Sequence, residues 1–128
     1  MKAEQVQASP KKAEKRGRHS ETLASLLLMP KGYRILGRRV KTHLGEIDLI
    51  ARSPKGVVCF IDVKARGTAG DAVQSIGPRQ KARIARAANL YLAQRPALAA
   101  KGVRYDAVIV AAGRLPRHVP DAWRSDGG

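Results

Sequence analysis

The spacing of apolar residues along the chain predicts two helices and four strands. A leucine-rich run over 20–29 has the length and spacing of a helix, which Pro30 and Gly32 then end. Beyond it, apolar and polar positions form short blocks that are typical of strands. Helical spacing returns over 78–94, with a proline in the first turn. The predicted strands are 33–40, 46–52, 57–64 and 104–110.

The order of these elements, α-β-β-β-α-β, predicts an α/β fold. Hairpins followed by a helical crossover give a mixed β-sheet flanked by helices. A chain of 128 residues is long enough for one modest core and too short for two. We expect residues 1–18 to be a disordered basic tail, 19–112 to fold as a single domain, and 113–128 to be an irregular C-terminal tail.

The turn between the second and third predicted strands sets their register. Residues 54–56, Pro-Lys-Gly, suit a three-residue hairpin loop with glycine in the left-handed position. In this register Asp48 stands directly opposite Asp62, with Cβ atoms about 5 Å apart. Alternation places Lys64 on the same face, with Glu46 across from it. The turn therefore predicts a cluster of three acids and one lysine.

Two interpretations of this cluster are open. The polar face of a hairpin is normally the solvated side of a sheet, which would give the acids no further role. However, Asp48 lies between Ile47 and Leu49, and Asp62 follows Ile61, a pattern typical of strands covered on both faces. A buried carboxylate needs a partner or a metal ion, and one lysine cannot neutralise three acids. The second interpretation is therefore a divalent metal site beside a phosphate.

The predicted second helix directs two polar residues inward. At 100° per residue, Gln80 and Lys81 fall within the apolar arc or at its border, whereas Arg79, Arg83 and Arg86 lie on the far side. Lys81 could simply run its alkyl chain along the core to reach water. Alternatively, both inward residues reach the acidic cluster or a phosphate bound there. The arginines are either a solvated face or contacts to backbone phosphates.

Glu21 is the remaining acid of interest. In the first turn of a helix it is favoured by the helix dipole, which is a sufficient explanation by itself. It also shares a stripe with Ala24 and Ser25. Small residues there would let the helix approach the sheet closely and aim Glu21 at the carboxylates.

The charge of the chain changes the picture, because the acids lie in a strongly basic protein. The net charge is +15, and residues 20–112 alone contain sixteen Lys or Arg against six Asp or Glu. A basic folded body predicts a polyanionic partner, with nucleic acid first. No apolar run is long enough for a bilayer, the start lacks a secretory signal, and the single cysteine reads as a core residue. We expect a cytoplasmic protein with no membrane partner.

Several of these motifs together resemble one family. Glu21, Gly45-Glu46-Ile47-Asp48-Leu49-Ile50 and Phe60-Ile61-Asp62-Val63-Lys64-Ala65-Arg66, continued by Gln80-Lys81 and Tyr105-Asp106, are similar to the YraN-type family of small bacterial proteins. That family resembles Holliday junction resolvases and other restriction-endonuclease-like nucleases. The resemblance spans about 17–123.

The resemblance implies a restriction-endonuclease-like core and a set of roles. Asp48, Asp62 and Glu21 would be the metal-binding acids for Mg²⁺ or Mn²⁺, and Lys64 the catalytic lysine. Asp62 stands where members usually carry Glu. We expect contacts to nucleic acid from Gln80, Lys81, Arg79, Arg83 and Arg66. Branched or structured DNA, and action as a homodimer, follow from the resemblance alone.

The sequence thus leaves two hypotheses for function. The first is a metal-dependent endonuclease that hydrolyses phosphodiester bonds in DNA. The alternative is a protein that binds DNA or RNA, or associates with ribosomes, on a nuclease-like scaffold without catalysis.

Overall fold

The computed structural model describes residues 20–65, 76–111 and 113–125, and the predicted tail over 1–18 lies outside them. Two α-helices and five strands are found in these ranges. They are α1 (20–28), β1 (Arg34–Thr42), β2 (Gly45–Arg52), β3 (Val58–Lys64), α2 (Pro78–Ala93), β4 (Val103–Ile109) and β5 (Arg117–Trp123), with 3-10 turns at Met29–Lys31 and Leu98–Lys101. No helix in the described ranges is long and apolar enough to cross a membrane.

The five strands form one mixed sheet in the order β1-β2-β3-β4-β5. The β3–β4 pair is parallel, with α2 in the connection between them, and the other three pairs are antiparallel. A parallel neighbour requires such a crossover, which explains why a helix separates these two strands in the chain. The predicted fold class, an α/β restriction-endonuclease-like core with a mixed sheet flanked by helices, is confirmed.

The β2–β3 hairpin has the predicted turn. The Ser53 and Val57 main chains pair, with Ser53 N–H donating to Val57 O at 2.8 Å, and Gly56 N–H donates to Ser53 O at 2.9 Å. Gly56 adopts φ of 92°, the left-handed conformation that glycine reaches without a Cβ clash. The Leu49–Ile61 pair lies in the predicted register.

Apolar layers cover both faces of the sheet. The layer under α2 includes Ile47, Ile50, Val58, Phe60, Ile84, Ala88, Tyr91, Tyr105 and Trp123. The layer under α1 includes Ala24, Leu28, Leu49, Ala51, Cys59, Ile61, Val108 and Val110. The central strands are therefore buried on both sides, as the nearly continuous apolar sequence of β3 predicts.

The expected irregular tail over 113–128 is wrong for 117–123, which form β5 against β4. A buried cluster of charged and polar groups around Asp106 holds this strand against β4. The fully buried Asp106 carboxylate accepts two hydrogen bonds from Arg104, at 2.8 Å each, and lies 2.8 Å from His118 Nε2. It also accepts the Asp121 main-chain N–H at 2.9 Å. Burial alone would raise the pKa of Asp106, but these contacts hold it below its usual range.

Candidate functional site

The main-chain ladder between β2 and β3 ends where the predicted acids begin. Its last pair is Leu49–Ile61, and Asp48 and Asp62 are one step further along each strand. At this step the Asp48 side chain replaces a main-chain acceptor, because its Oδ2 accepts the Val63 N–H at 2.8 Å. The two acids are therefore neighbours across the end of a ladder.

A pocket of about 510 Å³ opens at this point. Its acidic wall comes from β2 and β3 and contains Asp48, Asp62 and Lys64, three of the residues predicted to be functional. Its other wall is the first half of α2, which contributes Gln80, Arg79 and Arg83. The structure thus brings six of the predicted site residues around one opening.

Asp62 is held from two sides but keeps one oxygen without a hydrogen bond. Gln80 Nε2 donates to Asp62 Oδ1 at 3.0 Å, as expected for an inward-pointing glutamine. Lys64 Nζ lies 3.4 Å from Asp62 Oδ2, which makes an ion pair without hydrogen-bond geometry. This buried Oδ2 atom has no hydrogen-bond partner among the described residues. A buried oxygen left in this way is a ready ligand for a cation or its water.

Burial makes ionisation of both Asp48 and Asp62 costly. Burial raises the pKa of Asp48 to about 6, and the Asp62 and Glu46 carboxylates add to the shift, while the Val63 N–H opposes it. Burial also raises the pKa of Asp62, which the Lys64 ammonium only partly offsets. Shifts in this direction show that ionising each acid is costly, so a cation between them would be stabilising.

Strands β1 and β2 both change face at the step that contains Asp48. Leu49 packs in the α1 layer but Ile47 packs in the α2 layer, although residues two apart in a regular strand share a face. The β1–β2 ladder has no pair at Arg39 or Asp48, and Arg39 adopts a left-handed φ of 48°. Asp48 therefore lies at a break in the pleat, where both faces of the sheet approach it.

Glu21 reaches this break from α1. It is 7% exposed, and burial raises its pKa to about 7, with the Asp48 carboxylate adding to the shift. Arg39 opposes it, with Nε 3.9 Å from Glu21 Oε1. The Nη1 atom of Arg39 is buried without a hydrogen-bond partner in the described residues. Sequence reasoning missed Arg39, because nothing in the local pattern marks an arginine in a strand for a left-handed backbone.

Not every predicted contact is present. Of the two alternatives for Lys81, a contact with the acidic centre is not found, because its Nζ lies 6.0 Å from the centre of the Trp123 ring, on the other side of α2. Glu46 was expected opposite Lys64; the β2–β3 ladder ends before that step, but both residues line the same pocket. Arg66 lies outside the described residues.

The donor set of the pocket suits a hard divalent cation. In the described part of the chain, no three His, Cys, Asp or Glu side chains form a ready group of metal ligands. Glu21, Asp48 and Asp62 are thus not gathered as one set. Mg²⁺ commonly keeps several waters and takes only one or two protein carboxylates, with substrate phosphate supplying further oxygens. Asp48 and Asp62 meet that smaller requirement, and Asp62 Oδ2 has an ion pair with Lys64 but no hydrogen bond among the described residues.

Comparison with known proteins places these residues in a family context. The family model described as "Uncharacterised protein family UPF0102" matches residues 20–110. The UPF0102 protein amb4503 of Paramagnetospirillum magneticum is 50% identical over 118 residues, covering 89% of this chain and 91% of that protein. UPF0102 proteins of Maricaulis maris and Agrobacterium fabrum are 50% and 47% identical, each over 113 residues and 88% of this chain, covering 88% and 92% of those proteins. The chain therefore belongs to the UPF0102 family, the YraN family that its motifs resemble.

Proposed function

We propose that this protein is a metal-dependent endonuclease that hydrolyses phosphodiester bonds in DNA, with Mg²⁺ or Mn²⁺ as its ion. One observation carries the proposal: a chain of net charge +15 keeps two carboxylates with raised pKa values in one pocket with a lysine. Acids alone would repel a phosphate, and a basic surface intended only for binding gains nothing from them. A divalent cation between acids and phosphate removes the conflict.

Each side chain of the pocket has a task in this proposal. Asp48 and Asp62 would hold the ion, which when bound polarises the scissile phosphate and lowers the pKa of a water ligand. Gln80 keeps Asp62 in its orientation through the 3.0 Å hydrogen bond. Lys64, 3.4 Å from Asp62, would orient the attacking water or stabilise charge that develops on the phosphate oxygens. A metal-binding role for Glu21 stays a prediction.

The surroundings of the pocket support nucleic acid as the substrate. Arg79 and Arg83 are exposed, line the opening, and come from the same turns of α2 as Gln80. Their guanidinium groups are suited to phosphates on either side of the scissile bond. We further propose that the protein acts in the cytoplasm, and that branched or structured DNA is its substrate. Action as a homodimer stays a prediction.

The test is cleavage of branched and linear DNA, and of RNA, by the full chain with Mg²⁺, with Mn²⁺ or with a chelator. We expect metal-dependent cleavage of DNA. Asp48→Asn and Lys64→Ala should each lower the rate on the order of a hundredfold or more, since each removes a group that acts on the transition state. Lys55→Ala is the matched control, because Lys55 is an exposed lysine in the β2–β3 turn, outside the pocket.

The alternative hypothesis makes a different prediction in the same assay. A non-catalytic scaffold would bind nucleic acid in wild type and in both site variants, and the wild type would cleave no substrate with either metal. That result would refute the proposed endonuclease. Preferential binding of RNA would favour the RNA-associated form of the scaffold hypothesis.

A further inference from the structure

The outer face of the first half of α2 is basic, because every Lys and Arg of the helix lies within 79–86. Four of its sixteen residues are Lys or Arg and none is Asp or Glu. Arg79, Arg83 and Arg86 are exposed, and the exposed residues between them include the small Ala82. The exposed face of a helix that only contacts solvent normally carries both positive and negative side chains. A face that carries positive charge alone, with a small side chain between the arginines, is suited to binding a polyanion.

Two separate openings lie on opposite flanks of α2. One is the acidic pocket, which Arg79 and Arg83 line. The other is a groove of about 450 Å³ between α2 and the end of β5, lined by Lys81, Arg86 and Arg124. No Asp or Glu of the described residues lines this second groove, which we name the α2–β5 groove.

The basic side chains near α2 extend towards one or the other of these two openings. The alkyl stem of Arg83 lies over Gly45, where an added Cβ would come within 2.9 Å of Arg83 Cγ, so the stem is set towards the β1–β2 turn. Lys81 extends the other way, over Trp123. Arg124 is 84% exposed, and its ion pair with Asp121 is a surface contact that a phosphate can replace at little cost.

The dimensions of the helix select one kind of polyanion. An α-helix with its side chains is about 10–12 Å across, and the major groove of B-form DNA is about 12 Å wide, with a phosphate backbone along each side. We propose that α2 lies in the major groove of duplex DNA, with one backbone at the acidic pocket and the other in the α2–β5 groove. The major groove of A-form RNA is deep and narrow and does not admit a helix, so duplex RNA fits this geometry poorly.

This inference deepens the proposed function and rests on nucleic acid being the partner. It adds that the substrate is duplex next to the scissile bond, and that both of its strands are contacted. It assigns Arg86 and Arg124 to the strand that is not at the acidic pocket. Lys81, for which the acidic centre was one of two alternatives, is assigned to the same strand.

The test compares binding of the full chain to a DNA duplex of about 20 base pairs, the matching RNA duplex and one DNA strand, over a salt series with a chelator present. Arg86→Ala/Arg124→Ala removes two contacts of the α2–β5 groove. Arg34→Ala/Arg114→Ala is the matched control, with the same charge change at exposed positions outside both openings. Circular dichroism and a melting curve check that each variant is folded.

We expect the groove variant to lower the slope of log K against log salt on duplex DNA by about 2, roughly one unit for each phosphate contact. The control variant should leave that slope within about half a unit of wild type. Duplex RNA should bind at least tenfold more weakly than duplex DNA at equal salt. The groove variant should leave binding to the single strand unchanged.

Two outcomes would overturn the inference. The first is a slope of log K against log salt in the groove variant equal to that of wild type. The second is an equal decrease of this slope in the groove and control variants, which would indicate that binding depends on net charge and not on the position of the arginines. These outcomes are separable from the failure of the endonuclease proposal. If the wild type never cleaves but the variants show the expected slopes, the binding geometry is supported and the endonuclease proposal is refuted. If the wild type cleaves but the groove variant has an unchanged slope, the endonuclease proposal is supported and the binding geometry is refuted.

Discussion

Replacing Asp48 with Asn should make the protein more stable at neutral pH. Asn keeps a side-chain oxygen that can accept the Val63 N–H, so the 2.8 Å hydrogen bond at the end of the ladder can be retained. What the variant loses is a carboxylate whose ionisation is costly, because burial and the neighbouring acids raise its pKa to about 6. The substitution therefore removes the charge of the side chain while keeping its shape and its hydrogen bond.

The size and sign of the effect follow from the two pKa values. In the unfolded chain the Asp48 carboxyl ionises near its ordinary value of 3.8, and in the folded protein near 6. Between these pH values the folded state holds the proton more tightly, so the free energy of unfolding falls as pH rises. The full loss, reached above pH 6, is up to about 3 kcal/mol at about 1.4 kcal/mol per pKa unit. Below about pH 4 the variant and wild type should differ little.

Thermal unfolding of both proteins at pH 4, 6 and 8 measures this difference. For a domain of this size, about 3 kcal/mol corresponds to a melting temperature raised by roughly 10 °C at pH 8. Asp121→Asn serves as control, because Asp121 is a half-exposed acid in a surface ion pair. Equal melting temperatures for Asp48→Asn and wild type at all three pH values would refute the reasoning, since the buried charge would then cost nothing.

Stabilisation by a divalent cation provides a second test of the Asp48→Asn variant. Mg²⁺ at about 100 times its dissociation constant should stabilise wild type by about 2.7 kcal/mol, because it binds the folded state alone. Asp48→Asn should lose most of this gain, while Asp121→Asn should keep it. A gain of equal size in all three proteins would place the ion elsewhere.

Three further predictions concern other parts of the molecule. Asp106→Asn should lower the free energy of unfolding by about 3–5 kcal/mol in urea titrations, because its arginine partner is left without the buried counter-charge. Gly32→Ala should cost more than Gly113→Ala in the same titrations: both need left-handed backbone, at φ 89° and 74°, but only at Gly32 does the added Cβ come within 3.0 Å of a proline ring. Arg39→Ala should move the pKa of Glu21 above about 7 in an NMR titration, since a neighbouring cation is lost, and an unmoved carboxyl signal would contradict the contact.

The acidic pair could be predicted because its geometry depends on local sequence. The loop over 54–56 specifies a turn, the turn specifies the register, and the register sets Asp48 beside Asp62. Gln80 could be predicted from helical periodicity, because a polar residue inside an apolar arc must find a partner. Each of these inferences uses residues close in the chain.

The rest depends on contacts between distant segments. Strand β5 has little alternation and contains a proline, so its only strong signal is the Asp106 cluster, which the fold has to assemble first. Lys81 lies at the edge of its arc, and whether it turns to the acids or away depends on Trp123, more than forty residues later. The break at Arg39 arises where two strands and α1 meet. Periodicity within one element cannot show any of these.

The end of the β2–β3 ladder also has a consequence for the order of folding. A hairpin with a three-residue loop forms early, because closing it constrains few residues, whereas the parallel β3–β4 pair must wait for the long crossover. We therefore expect Asp48 and Asp62 to meet while still in water, and to lose that water when α1 and α2 dock. The free energy of docking should therefore become less favourable as pH rises from about 4 to about 6, and recover when a divalent cation is added. The acids of the pocket would thus oppose closure of the two helices over the sheet until a cation binds between them.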